Sequence, residues 1–478
     1  MLSIHLDSHS KIALYEQIYQ EIKKRILEKE LQTGEKLPST RGLAASLGVS
    51  RNTIDTAYYQ LLAEGYIDTT PKSGFYVCDL DLYDHASMIL SPTNFSDFSE
   101  ISAENANKES DRIEYDFSPF AVDLSHFPYS IWKKLSKKVL DEEKNLFLSG
   151  DPDGDLELRT AICHYVCLSR EVHCSPDQII IGAGADYLLQ MLSLLFRHIG
   201  IREITLENPC YRKAAMIFEE NQMQLHTGIL DSHGLMVSSI APETEVLYLT
   251  PSHQYPLGIV MPFGRRGELL NWTMQAQKRY IIEDDHDSEF RYKGKPIPAL
   301  QGMDRHNRVI YLGTFSKAVA PAIRVSYLIL PPELSAAYHQ ALGFYSCTVS
   351  RLDQGILTRF LSEGYFEKHV NRMRKLYRSK HDLVLELLKP LVQQEILQIR
   401  GEHAGLHLVL DLQKGITEAA LIKEAEQQGI RIYGIKKHYL PPTDSVSESI
   451  LLGYSNLSEA EITEGIRRLT LILLHLAA

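Results

Sequence analysis

The stretch GTFSKAVAPAIR, residues Gly313–Arg324, follows the apolar run RVIYLG and places one lysine in a loop of small residues. A charged amine at the end of a buried strand loses water, and that is costly unless its charge is removed or matched. Lys317 therefore needs a chemical reason to be there.

Working outward from this loop, QIIIGAGA, REITLENP, EVLYLTPSHQYP, RYIIEDDHD, RVIYLGTFSK and VSYLILPP each read as a strand running into a loop, with helical segments after or between them. Near-continuous apolar strands alternating with helices predict an α/β domain whose mostly parallel sheet is covered on both faces. Ligands of such sheets sit beyond the carboxyl ends of the strands, and the unusual residues of this chain collect there.

GAGADY puts Gly184, Ala185 and Asp186 at a helix start, where backbone N–H groups can reach a phosphate. That signal is weak alone, because the third glycine of the dinucleotide fingerprint is missing. ENPCY offers the ring of Tyr211 for stacking, and EDDHD places Asp284 where it can hold a protonated pyridine nitrogen. Thr314, Lys317 and Arg324 add a hydroxyl, an amine and a cation. Taken singly, Lys317 reads as a surface lysine and Asp284 as a capping acid. Together, phosphate holders, an acid for a ring nitrogen and an amine for an aldehyde describe pyridoxal 5'-phosphate. A desolvated lysine has lowered basicity and makes a competent Schiff-base nucleophile.

The front of the chain has a different grammar. Apolar residues recur at Ile18, Ile22, Ile26, Leu27 and Leu31, one face of a helix. STRGLAASLGVS gives a short second helix ended by Gly48, and Ser50 caps a third, RNTIDTAYYQLLAEGY. The tight LGVS turn makes a helix-turn-helix, and YIDTTPKSGFYV supplies a hairpin or wing. Arg51, Asn52 and Thr53 begin the third helix, where base edges and phosphates are met. Ser39 and Arg41 open the second helix and Lys72 sits on the wing, all suited to the DNA backbone. The competing reading is a helical bundle that merely caps the larger domain.

Residues 79–113 are rich in Ser, Asn, Asp and Glu without a sustained period, as expected of a linker. The implied domains are 1–78, a DNA-binding winged helix-turn-helix, and 114–478, an effector domain. The net charge of −11 spares the front, whose 78 residues hold nine basic and nine acidic side chains. The linker carries eight acids against two bases. An acidic chain with one neutral module does not coat nucleic acid generally. No run of 18 apolar residues spans a membrane and no apolar leader opens the chain, so a cytoplasmic protein is expected. The six cysteines read as reduced thiols, and the Cys163–Cys174 region with His164 and His173 matches no zinc spacing. No metal is expected.

Two resemblances now become specific. KLPSTRGLAASLGVSRNTIDTAYYQLLAEGYI followed by KSGFYV resembles the GntR-type winged helix throughout. GAGADYL, ENPCY, TPSHQYP, EDDHDSEFRY and GTFSK resemble a fold-type I aminotransferase, with HAGLHLVLDL, GIRIYGI and ILLGYSNLS as strands of its small domain. The joined architecture resembles the MocR-type (GabR-like) branch of GntR regulators over nearly the whole chain. That resemblance implies that Lys317 takes the aldehyde and Asp284 the ring nitrogen. It also implies that Thr314, Arg324 and the Gly184–Asp186 backbone hold the phosphate, with Tyr211 and Tyr255 beside the ring. It further implies a domain-swapped homodimer, double-stranded operator DNA as partner, and a small amine or amino acid, or the cofactor itself, as effector.

Three departures matter. His286 stands where the family places the tyrosine that bonds the cofactor's phenolic oxygen, and a histidine can donate a similar hydrogen bond. Leu257 interrupts the family's PTG. The arginine that holds a substrate carboxylate is absent from SESILLGY, leaving Arg212 and Arg431 as candidate replacements. The expected function is a pyridoxal phosphate-dependent transcriptional regulator that senses rather than turns over amines. The alternatives are a working aminotransferase and a DNA-binding protein whose cofactor domain is vestigial.

Overall fold

The computed structural model describes residues 4, 6–7, 10, 12–70, 73–79, 113–292, 297–441 and 446–478. The chain divides into two compact units, Met1–Ala106 and Asn107–Ala478. Lys72 and all of the expected linker except its end residues, Asp79 and Ile113, lie outside the described residues.

In the first unit, α1 (Leu14–Leu27), α2 (Thr40–Leu47) and α3 (Arg51–Ala63) precede a hairpin of β1 (Ile67–Thr70) and β2 (Gly74–Val77). Ser39 Oγ accepts from the Gly42 amide at 3.1 Å, and Ser50 Oγ from the Thr53 amide at 3.2 Å, so both helices of the helix-turn-helix carry a side-chain cap. Gly48 ends α2 at φ +65°, a conformation that costs a glycine little. Ile18, Ile22 and Ile26 from α1 meet Leu43 from α2 and Ile54, Tyr58 and Leu61 from α3 in one core. Of the expected α1 stripe, Ile18, Ile22, Ile26 and Leu31 pack here, while Leu27 is half-buried and outside this core.

The second unit is built on an eight-stranded sheet of β4 (Ile179–Gly182), β5 (Glu203–Asn208), β6 (Gln224–Asp231), β7 (Gly234–Leu235), β8 (Val246–Leu249), β9 (Tyr280–Asp285), β10 (Val309–Thr314) and β11 (Ser326–Ile329). β3 (Tyr115–Asp116) precedes it and pairs elsewhere. The order is β4-β11-β10-β9-β8-β5-β6-β7. The five strands from β10 to β6 run parallel, while β11 is antiparallel to both its neighbours. Alternate residues explain why the strands read as continuous apolar runs. Ile180, Ile310, Leu312 and Leu328 join one core with the helix Ala185–His198. Ile179, Ile181, Tyr311 and Ile329 join another, with the helices Leu156–Arg170 and Arg351–Ser362, on the opposite face.

A smaller antiparallel sheet follows, formed by β12 (Leu397–Arg400), β13 (His407–Leu412), β15 (Tyr433–Gly434) and β16 (Ser449–Gly453). Between these, β14 (Ile430–Arg431) pairs with β3. The helices Tyr365–Gln393 and Glu459–Leu476 share its core. Among the described residues, no helix is long and apolar enough to cross a membrane.

Candidate functional site

Strand register assembles the site. β10 lies parallel to β9 with Leu312 beside Asp284 and Gly313 beside Asp285, so the two carboxyl ends finish together. Across β11, Ser326 stands between Thr314 on one side and Gly182 on the other. The start of the Ala185–His198 helix thereby comes next to the loop that carries Lys317 and Arg324. A cavity of about 210 Å³ opens there. Lys317, Asp284, His286, Thr314, Arg324, Ala185, Asp186, Tyr211 and Tyr255 all line it.

Lys317 keeps 12% of its side chain exposed, with Nζ 4.0 Å from Asp287 Oδ2 and 3.5 Å from the carbonyl of Pro119. Burial pushes the amine's pKa down, against the opposing pull of Asp287 and Asp284. A lowered pKa makes the amine more available as a nucleophile. Asp284 is buried and its pKa is pushed up by loss of water, with His286 pulling the other way. The hydroxyl of Tyr248 donates to its Oδ2 and fixes the carboxylate.

One layer below, Asp285 accepts from Arg170 Nε at 2.8 Å and from the Tyr311 hydroxyl at 2.6 Å. His286 Nε2 lies 3.3 Å from Asp287 Oδ2, which also binds His253 Nδ1 at 3.0 Å. Burial works against the Asp287 carboxylate, yet the two imidazoles hold its pKa well below the usual range. These three side chains are the one group of metal-capable donors close together among the described residues; Cys163, Cys167 and Cys174 form none.

At the other end of the cavity Gly184 precedes the helix at φ +92°. A Cβ on it would collide with the Arg324 guanidinium. Arg324 Nη2 lies 3.6 Å from Asp186 Oδ2, and Lys213 Nζ reaches the same oxygen at 3.1 Å. Thr314 Oγ1 accepts from the Ser326 hydroxyl at 2.9 Å and from the Ser316 amide at 3.2 Å.

Arg212 and Arg431, the candidate carboxylate partners, do not line the cavity. Arg212 donates to the carbonyl of Lys437 at 3.1 Å, and Arg431 sits in β14 opposite Asp116. The helix geometry around Tyr211 turns Arg212 away while bringing Lys213, one residue later, inward. Sequence reasoning missed Phe120, Lys213, Thr250, Ser316 and Pro321. Thr250, Ser316 and Pro321 stand within the quoted motifs and were legible there; Lys213 lies two residues past ENPCY, and Phe120 arrives from a segment before the sheet and carried no signal. A larger cavity of about 760 Å³ includes Tyr165, Glu289 and Arg374, but none of the residues that line the Lys317 cavity.

In the first unit, Arg41, Arg51 and Asn52 are exposed. Arg51 Nε is 3.4 Å from Asp55 Oδ2, a loose surface pair that a phosphate can displace. Thr53 Oγ1 is 2.8 Å from the Ser50 hydroxyl, and Ser39 is committed to its cap.

Comparison with known proteins agrees with both halves. Residues 14–77 match the family of bacterial regulatory proteins of the gntR family, and residues 121–469 match aminotransferase class I and II. The uncharacterized HTH-type transcriptional regulator YdeL of Bacillus subtilis is 41% identical over 462 residues, covering 96% of each chain. The probable rhizopine catabolism regulatory protein MocR of Rhizobium meliloti is 30% identical, covering 97% of this chain and 94% of its own. Among solved structures, the multiple substrate aminotransferase of Thermococcus profundus superposes with a TM-score of 0.69 at 23% identity, over 80% of this chain and 99% of that one. The chain belongs to the MocR/GabR-type family of HTH-type transcriptional regulators, in which a gntR-family reader is fused to an aminotransferase class I and II domain.

Proposed function

We propose that this regulator binds pyridoxal phosphate at Lys317 and that the bound state, altered by an amine or by the cofactor's own supply, changes its hold on operator DNA. The observation that carries the reading is the convergence of Lys317, Asp284, Thr314 and Arg324 on one cavity. The donor set fits the group. Asp284 is a buried acid held by Tyr248, and the bare Gly184 lets the Arg324 guanidinium lie against the start of the Ala185–His198 helix, where a phosphate would be held. When bound, the cofactor supplies an aldehyde carbon and an electron-withdrawing ring.

The chain's own residues do the rest. Lys317 presents a nucleophilic amine, Asp284 accepts from the ring nitrogen, and Tyr211 lies by the ring. Arg324, Thr314 and the amides at Gly184–Asp186 hold the phosphate. Asp287 keeps His286 oriented at the cavity wall, where it can donate to the cofactor's oxygen.

Arg41, Arg51, Asn52, Thr53 and the α2 start capped by Ser39 engage the duplex, joined by Lys72. One reader spans few base pairs, so two copies on paired half-sites are required. Phe147 and Phe344, 86% and 76% exposed, are apolar surface suited to burial in such a homodimer. The linker is residues 79–113, between the reader at 1–78 and the effector domain at 114–478, and the protein acts in the cytoplasm, where its DNA lies.

A ligand shifts DNA binding only through unequal affinity for two arrangements of the protein. The test is the affinity for a duplex selected from random DNA, measured with and without pyridoxal phosphate. A change of about fivefold or more is expected; equal affinities contradict the coupling. The aminotransferase fold favours a second reading, steady amino-acid turnover, which predicts keto acid in excess over protein.

A further inference from the structure

The charges around the Lys317 cavity are unevenly placed. Its fixed cations, Arg324 and Lys213, both lie at the Asp186 end. At the Lys317 end the neighbours are acidic: Asp287, 4.0 Å from Nζ, and Asp284. His286 is already held by Asp287.

Tyr255 gives the same cavity an aromatic wall, with the Phe120 ring 5.6 Å away. Behind Tyr255 stand Leu257, Val409, Ile435 and Leu451, an apolar cluster. His407 and His438 pack on the same ring at 5.6 and 5.2 Å. Burial pushes these two imidazoles down to about 3 and about 4, so both are neutral at physiological pH. Among the described residues, no arginine or lysine lines this end other than Lys317 itself. A carboxylate delivered here would lose water without gaining a cation, whereas an amine would meet the negative charge of Asp287, 4.0 Å from Lys317 Nζ, and no repelling side-chain cation beyond Lys317.

We propose that the ligand read by this cavity is a primary amine carrying no carboxylate, seated with its nitrogen toward Lys317 and its carbon chain against the Phe120–Tyr255 wall. The inference rests on the cofactor reading above.

The full-length protein loaded with pyridoxal phosphate provides the test, through its visible absorption band. Matched ligands are titrated: phenethylamine against phenylalanine, and butylamine against norvaline and 4-aminobutyrate. At least one amine is expected to perturb the band at a concentration about tenfold or more below that of its carboxylated counterparts. Amino acids acting as well as the amines, or a band that no amine moves, would overturn the inference while leaving the cofactor reading intact. Absence of any cofactor band would instead remove the cofactor reading, and this inference with it.

Discussion

The guanidinium of Arg324 lies over the backbone of Gly184, in the space that a Cβ there would occupy. Gly184 has φ +92° and Arg324 φ +51°, so both backbones sit in the left-handed region at the point where they meet. For an arginine that conformation is uncommon and is held only where the surroundings over-determine it. Gly184→Ala should push the guanidinium out of the cradle. Affinity for pyridoxal phosphate should fall by about tenfold or more, since a charge-assisted contact is worth roughly 1.5–3 kcal/mol. Equilibrium binding followed by absorbance checks this, and unchanged affinity would mean that the pair does not hold the phosphate.

Tyr248 donates to Asp284 inside the sheet. Its hydroxyl favours the ionised carboxylate, opposing the burial that pushes the Asp284 pKa up. Tyr248→Phe removes that donor, so Asp284 should protonate at higher pH. Cofactor affinity is expected to drop by about 1–3 kcal/mol, and more at about pH 6 than at about pH 8. A loss equal at both pH values would point to packing rather than to the carboxylate.

Glu207 ends a buried strand, accepting from the Thr250 amide at 3.0 Å and the Thr250 hydroxyl at 2.9 Å. Burial raises its pKa to about 7 from 4.5. Between these values the folded chain holds a proton that the unfolded chain has released, so stability falls as pH rises through that window and is level above it. Glu207→Gln abolishes this contribution. Relative to the unmodified protein, the variant should gain up to about 3 kcal/mol between acid and neutral pH. Denaturant unfolding at several pH values measures the difference; a pH-independent difference would contradict the assignment.

Arg51 is 58% exposed and lies 3.4 Å from Asp55 in a surface ion pair. Arg51→Ala should weaken binding to a selected duplex by about 1–3 kcal/mol while leaving the cofactor band unchanged. Retained DNA affinity would remove Arg51 from the interface.

Much of this was legible because the physics is local. Continuous apolar runs such as QIII and RVIYL mark strands buried on both faces, and caps such as Ser50 mark helix starts. β6, reading QLHTGILD, carries no such run: only Gly228 is buried along it, so it was not visible beforehand. That Lys317 and Asp284 stand together at strand ends was readable from residue type and order. Their supports were not. Tyr248 is two residues inside a strand and looks like any core aromatic, while Phe120 comes to the cavity from nearly 200 positions before Lys317. Arg212 and Arg431 were chosen for their charge, and charge does not reveal direction; one turns to a carbonyl and the other pairs at a sheet edge.

The most direct measurement is borohydride reduction of the protein supplied with pyridoxal phosphate, followed by peptide mass analysis. A reduced pyridoxyl adduct on the peptide containing Lys317, missing in Lys317→Ala, is the predicted result. A protein left unmodified, or one modified only at other lysines, would contradict the account.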